Sequence, residues 1–346
     1  MSRKPEEVAI IPEGDDPFAP IPPDDEPISE PEVEAERRDL PSPRQTLSFI
    51  RNLLRTHGLE PKNKLGQNYL IDLNMLDVVV RAGELDKNDA VLEVGTGTGT
   101  LTMKLGELAG SVATVEIDRE FHRLVQPMLE ARPNVTSLQG DVLSSKNLLN
   151  PDVLAAWKAG AEEHGCTRFK LIANLPYAVA TPVIANLLIQ EAIPIDRMVV
   201  MVQWEIAERF RAEVGTKDYS SLSVLVQSVA DVEVLRKVGP ANFFPRPQVD
   251  SGIVCLKPNP AKRARVGSVQ RFREFLRDLY TMRRKNLRGA LAGWPRGRMD
   301  KAEVDAKIAA LGLDGQVRAE TLSIEQHLAL CEAFGSVGAG EPPCDS

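Results

Sequence analysis

Ala90-Val91-Leu92-Glu93-Val94-Gly95-Thr96-Gly97-Thr98-Gly99 decides the fold, because an apolar strand pattern runs here straight into three alternating glycines. From Thr100 to Leu108 the pattern turns helical, so the glycines sit where a strand gives way to a helix. Missing Cβ atoms let a ligand approach the backbone closely, and the helix N-terminus favours an anionic group such as a carboxylate or phosphate. The spacing is G-x-G-x-G and not the G-x-G-x-x-G of dinucleotide-binding turns, since position 100 is Thr. Alone, such a turn suits many nucleotide-like ligands.

Two further strand ends narrow the choice. The strand pattern Val112 to Ile117 ends in Glu116-Ile117-Asp118, roughly twenty residues past the glycines, where an acidic side chain can accept both hydroxyls of a ribose. Val135 to Leu138 leads into Gly140-Asp141-Val142, where a carboxylate can take a hydrogen bond from an adenine amino group. Each acid by itself reads as a solvated loop residue. Three such features in sequence order read as a site for an adenosyl ligand.

A fourth strand pattern, Phe169 to Ala173, runs into Asn174-Leu175-Pro176-Tyr177. In isolation Asn-x-Pro is an ordinary strand-ending turn. Beside an adenosyl site it matches the demands of methylating an exocyclic amine. The lone pair of an adenine amino nitrogen is delocalised into the ring, so its N–H groups must be held out of plane before it can attack. The Asn174 side-chain carbonyl and the Leu175 backbone carbonyl can accept those two N–H bonds, Pro176 stiffens the turn, and Tyr177 offers a ring for the base to stack on. In-line attack on an electrophilic methyl needs little acid–base help, so positioning carries the rate and no catalytic His is required.

These motifs, with Leu65-Gly66-Gln67-Asn68-Tyr69-Leu70, Phe244-Pro245-Arg246-Pro247-Gln248-Val249-Asp250-Ser251 and Arg283-Arg284-Lys285-Asn286-Leu287-Arg288, make the chain resemble the ribosomal-RNA adenine dimethyltransferases of the small-subunit (16S) type over about residues 45 to 295. The resemblance implies S-adenosylmethionine as cofactor, contacted by Asn68, Leu70, Gly95, Glu116, Asp141 and Asn174 with Gln67, Gly97 and Val142 beside them. It implies that Asn174, Tyr177 and the aromatic ahead of Pro245, Phe243 or Phe244, surround a flipped-out target adenosine. It also implies N6,N6-dimethylation of two adjacent adenosines in the 3′-terminal hairpin loop of 16S rRNA, in the immature small subunit. Two other readings share the scaffold: a large-subunit rRNA adenine dimethyltransferase of the macrolide-resistance type, and a non-catalytic assembly or transcription factor. The Phe244 segment and the Arg283-Arg284-Lys285 run favour the small-subunit type, and the intact tetrapeptide favours an enzyme.

The chain departs from the family pattern at Tyr69 (usually Phe), Thr96, Ala178-Val179-Ala180, Trp204 (usually Lys) and Tyr219-Ser220-Ser221-Leu222, and by an insertion around Trp157 to Cys166. These leave the chemistry in place and bear on the RNA contacts.

Charge divides the chain. Residues 1–40 hold 13 acids against 4 basic residues, a net −9 within a total of −7, so the rest carries +2. With prolines such as Pro12, Pro17, Pro20, Pro22, Pro23 and Pro27 interrupting any periodicity, an arm over 1–44 is expected to be disordered. Lys257 to Arg298 holds 13 Lys and Arg against Glu274 and Asp278, a local +11. A charge run is commonly a solvated face; beside an adenine-methylating site it reads as a phosphate-tracking surface, with Arg246, Arg283, Arg284, Lys285 and Arg288 as RNA contacts. Cys166, Cys255, Cys331 and Cys344 and the four histidines are scattered, so neither disulfides nor metal is expected. With no signal peptide, anchor or membrane-length apolar run read, a cytoplasmic monomer is expected.

The expected fold class is α/β: a Rossmann-like methyltransferase sheet with helices on both faces over 45–257, a small all-helical basic RNA-binding domain over 258–337, and a loose tail over 338–346. Strands are expected near 90–94, 112–117, 135–138, 169–173 and 197–202. The helices expected include 119–130, 181–190 and 204–213, after an opening helix carrying Leu47, Ile50 and Leu54 that Gly58 stops and a cofactor-lid loop over Lys62 to Leu70. Val232 to Val238 and Gly252 to Leu256 are expected to close the sheet as an antiparallel pair.

Overall fold

A computed structural model of the chain describes residues 46–292 and 299–335. The acidic arm and the loose tail lie outside the described residues. The chain opens with α1 (Leu47–Thr56), capped by Thr46, and reaches strand β1 (Tyr69–Leu70) and α2 (Leu73–Ala82), capped by Asp72. Alternation then begins: β2 (Asp89–Val94), α3 (Thr100–Leu108), β3 (Ser111–Glu116), α4 (Arg119–Leu129), β4 (Val135–Gln139). A small hairpin, β5 (Leu143–Ser145) with β6 (Leu148–Leu149), precedes α5 (Pro151–Glu163), β7 (Arg168–Asn174), α6 (Tyr177–Ile189), β8 (Ile195–Gln203) and α7 (Trp204–Arg211). After α8 (Ser221–Val229) come β9 (Ala230–Val238), β10 (Phe243–Phe244) and β11 (Ser251–Pro258). Helices α9 (Pro260–Val266), α10 (Val269–Thr281), α11 (Leu287–Leu291), α12 (Lys301–Ala310) and α13 (Ile324–Phe334) complete the described chain.

Among the described residues the sheet has seven strands in the order β4-β3-β2-β7-β8-β11-β9. The pairs linking β4, β3, β2, β7 and β8 are parallel, whereas β11 lies antiparallel between β8 and β9. All six residues of β2 and of β3 are buried, as helices on both faces require. The chain proceeds from β2 outward to β4, then returns to place β7 on the other side of β2. Ligands bind at such a reversal of strand order, outside the carboxyl ends of the strands.

Three local features differ from expectation. The helix expected from Thr181 begins at Tyr177, because Pro182 stands in its second turn and not at its start; the Ala178 carbonyl left without an intrahelical donor belongs to an exposed residue. The lid loop is tied down: Tyr69 pairs with Phe244 and Leu70 with Phe243 in a two-stranded sheet. Finally, α2, α5 and α8 are not among the helices expected. The insertion belongs to α5, which buries Trp157 completely with its ring edge-on to Phe169 at 5.3 Å. Truncating a side chain so placed costs about 3–5 kcal/mol.

From Pro258 the chain is helical. Phe272, Phe275, Leu276 and Leu279 of α10 are buried in the same hydrophobic cluster as Val224, Leu225 and Val229 of α8, and Leu287, Leu291, Val304 and Ile308 join it.

Candidate active site

The glycine turn adopts a backbone that only its composition permits. Gly95, Gly97 and Gly99 have φ of 87°, 56° and 78°, the left-handed region. At Gly97 a Cβ would also stand 3.1 Å from the Tyr69 ring. The turn is held from below: Gly95 N donates to Val115 O at 2.9 Å, and the Thr96 and Thr114 hydroxyls meet at 2.6 Å. Glu93 Oε2 accepts from Thr102 Oγ1 (2.6 Å) and Thr114 Oγ1 (2.8 Å). Complete burial pushes the Glu93 carboxyl up to about 8, so this acid is largely protonated at neutral pH.

Glu116, at the end of β3, accepts Gly97 N at Oε2 and Asp118 N at Oε1, both at 2.9 Å. Burial raises its pKa against the pull of those backbone donors. Each oxygen keeps acceptor capacity beyond its one backbone bond.

A cleft of about 230 Å³ opens over this turn, and Gln67, Asn68, Gly95, Gly97, Glu116, Asp141, Val142, Asn174 and Pro176 all line it. Leu70 instead lines a neighbouring recess of about 50 Å³ that shares Tyr69, Gly95, Gly97 and Asn174. Gln67 Nε2 donates to Asp118 Oδ2 at 3.0 Å. Asp141 Oδ1 accepts Leu143 N at 2.9 Å at the start of the β5–β6 hairpin. The structure therefore gathers residues 67, 68, 95, 97, 116, 141, 142 and 174 from five segments around one cavity.

Of the tetrapeptide, Asn174 and Pro176 line the cleft, whereas Leu175 and Tyr177 do not. Asn174 Nδ2 donates to Asn68 O at 3.0 Å, and no protein donor among the described residues bonds to its Oδ1. Leu175 is buried, with N donating to Met201 O at 3.2 Å, and its carbonyl accepts no bond among the described residues. Tyr177 Oη meets Ser251 Oγ at 2.7 Å, which fixes the phenol and gives Ser251 a role its place in the sequence does not reveal.

The two phenylalanines separate. Phe243 is 4% exposed and packs with Leu70 and Val79 in the core, which removes it as a stacking residue. Phe244 packs beside Tyr69 and Phe121, with the Arg51 guanidinium 5.4 Å from its ring centroid, and does not line the cleft.

The cationic run also resolves into parts. Lys262, Arg265, Arg277 and Arg288 pair with Asp231, Glu325, Asp278 and Asp305. Arg263 and Arg273 bond to a carbonyl and an amide of α6, and Arg271 to the carbonyl of Gly335 at the end of α13, which ties helices to one another. Much of the local +11 is thus internal or neutralised, because acids distant in sequence face it. Arg246, Arg283, Arg284 and Lys285 are exposed and have no partner among the described residues, while Arg296 and Arg298 lie outside them. Among the described residues no group of three or more His, Cys, Asp or Glu side chains converges to hold a metal ion, and no helix is long and apolar enough to cross a membrane.

The family model "Ribosomal RNA adenine dimethylase" matches residues 58–335. "Ribosomal RNA small subunit methyltransferase A" of Pelotomaculum thermopropionicum is 38% identical over 292 residues, covering 84% of this chain and 97% of its own. The protein of the same name from Halothermothrix orenii is 36% identical over 276 residues, covering 79% and 88%. Among solved structures, a dimethyladenosine transferase from Plasmodium falciparum superposes with a TM-score of 0.61 at 25% identity, covering 77% of this chain and 97% of that one. The 23S rRNA methyltransferase ErmE gives 0.53 at 25% identity, covering 77% and 99%. The glycine turn, the acid at the end of the next strand and Asn174-Leu175-Pro176-Tyr177 all fall within the matched residues, and the chain belongs to the ribosomal RNA adenine dimethylase family, S-adenosylmethionine-dependent enzymes.

Proposed function

We propose that this enzyme dimethylates N6 of two adjacent adenosines in the 3′-terminal hairpin loop of small-subunit rRNA, acting as a cytoplasmic monomer on the immature subunit. One observation carries the reading: Asn174 Nδ2 is held by Asn68 O, so Oδ1 is left as an acceptor at the cleft wall. S-adenosylmethionine supplies the electrophilic methyl group. Its fit to the cleft rests on Glu116, whose oxygens can each accept a ribose hydroxyl, on Asp141, which lines the same cleft, and on the glycines of its floor.

Asn174 Oδ1 and Leu175 O accept the two N–H groups of the target amine, which turns its lone pair out of the ring plane and toward the cleft. Tyr177, braced by Ser251, carries the base. Flipping the adenosine out of its loop costs ~2–3 kcal/mol, which stacking and phosphate contacts offset. The nitrogen acquires positive charge on attack and loses a proton afterwards, so Asn174 and Leu175 serve as acceptors and not as bases. The same geometry takes the monomethylated amine for a second turn, since one N–H bond still orients it.

Exposed Arg246, Arg283, Arg284 and Lys285 are assigned to phosphates of the RNA. The large-subunit alternative has one specific support, the likeness to ErmE. Mapping dimethylated adenines on both rRNAs after incubation with purified enzyme and cofactor tests the choice: modification confined to the small-subunit hairpin supports our reading, and modification of large-subunit rRNA alone overturns it.

A further inference from the structure

Beside the cleft, at the same carboxyl edge of the sheet, lies a second recess of about 370 Å³ that the chemistry above leaves unused. It forms where β8 ends at Gln203 and α7 begins at Trp204. Gln203 pairs in register with Ser251, and Trp204 N donates to Asp250 O at 2.9 Å. Because Ser251 Oγ also holds the Tyr177 phenol, one residue separates the wall of this recess from the ring assigned to the target base.

The recess is lined by Trp204, half-buried against the core, by Gln203, Gln248 and Val249, and by two acids that are each already paired, Glu205 with Arg209 and Asp250 with Lys237. Lys237 Nζ lies 5.1 Å and the Arg211 guanidinium 5.7 Å from the Trp204 ring centroid, so two cations stand near the ring that lines the recess without lining it themselves. Gly252 seats the indole: a Cβ there would stand 3.2 Å from Trp204 Cε3 and 2.8 Å from Ala207 Cβ. The Gln203 and Gln248 side-chain amides line the recess with no partner among the described residues, and Val249, 44% exposed, adds apolar surface. Besides its contact with Trp204, Lys237 has one ion pair among the described residues, with Asp250 at 2.8 Å and with both side chains well exposed. An ion pair in that setting is weak, and a phosphate can compete for the ammonium.

We propose that this recess is a second nucleotide subsite, which takes the base of an unpaired nucleotide flanking the target adenosine. The base stacks against Trp204, its edge meets the amides of Gln203 and Gln248, and its phosphate is drawn to Lys237. The inference rests on the function proposed above and adds a determinant of which loop is accepted.

The test uses the full chain and a synthetic RNA hairpin whose loop carries two adjacent adenosines, with 2-aminopurine at the flanking position. Wild-type enzyme quenches that fluorophore on binding. Trp204→Leu abolishes the quench and raises the RNA dissociation constant roughly ten-fold, while Trp204→Phe keeps most of both. S-adenosylmethionine affinity, measured in parallel, stays within about two-fold and reports an intact fold. A wild-type complex without quench, or a Trp204→Leu enzyme that quenches and binds like wild type, overturns the subsite. A defect seen only with whole subunits and not with the hairpin also overturns it, in favour of a protein contact. None of these results touches the methyl-transfer reading, which stands or falls on the Asn174→Ala enzyme.

Discussion

Asn174 Nδ2 donates to the backbone carbonyl of Asn68 at 3.0 Å, across a sequence separation of 106 residues. A carboxamide is planar, so fixing its nitrogen end also aims its oxygen end. The segment before β1 thereby positions the acceptor at the end of β7, and β1 is itself fixed by its pairing with β10.

Asn174→Ala is expected to lower kcat by at least about 100-fold, the usual effect of removing one preorganised hydrogen-bonding group from a reaction centre. Single-turnover methylation of the rRNA hairpin measures it. Circular dichroism and S-adenosylmethionine affinity close to wild type would place the loss in the chemistry; near-normal turnover would remove Asn174 from its role.

Glu116→Ala is expected to weaken S-adenosylmethionine binding by about 1–3 kcal/mol, for the loss of charge-assisted bonds to the ribose. Titration calorimetry reads it directly. The variant also frees Gly97 N and Asp118 N, so part of the loss comes through the turn.

Two buried groups tilt stability with pH in opposite directions. His327 is fully buried, stacked on Tyr280, and desolvation pushes its pKa down to about 4 against the bond to Ser323 O. Its folded value lies below its unfolded one, so the unfolded state binds the extra proton and stability falls as pH drops from about 6.5 through about 4. Glu93, pushed up to about 8 by burial, holds its proton in the folded state; the stability it contributes is complete below about 4.5 and is lost as pH rises to about 8. Melting temperatures across pH 4–9 should fall at both ends. Glu93→Gln should flatten the alkaline limb and His327→Gln the acid limb.

Replacing Arg283, Arg284 and Lys285 together by Ala is expected to weaken RNA binding and to reduce the slope of log K against log salt by roughly 2–3, near 0.7–0.9 per lost phosphate contact. Filter binding at several salt concentrations tests this. An unchanged slope would show that these exposed cations do not face the RNA.

Much of the site is legible in the sequence. The strand-turn-helix at 90–108, the acids at successive strand ends and the tetrapeptide are local signals, each written in contiguous residues whose backbone needs no distant partner to be recognised. Residues 67, 68, 95, 97, 116, 141, 142 and 174 do share one cleft. Phe243 and Phe244 were not distinguishable in the same way: their alternation in β10 sends one ring into the core and the other toward α1, and pairing with β1 decides which. The onset of α6 at Tyr177 was masked because a proline in a second turn resembles one in a first turn.

Sequence alone determined the class of fold, the adenosyl-binding turn and the tetrapeptide, since these depend on periodicity, on glycine conformations and on neighbours a few residues away. Only the tertiary structure decided how the cationic run divides, with Asp231, Asp305 and Glu325 neutralising cations that looked free. It alone brought Asn68 to Asn174, Ser251 to Tyr177, and Lys237 and Arg211 to Trp204. The physical reason is range: electrostatic and hydrogen-bonding partners act over a few ångströms in space, whatever their separation along the chain.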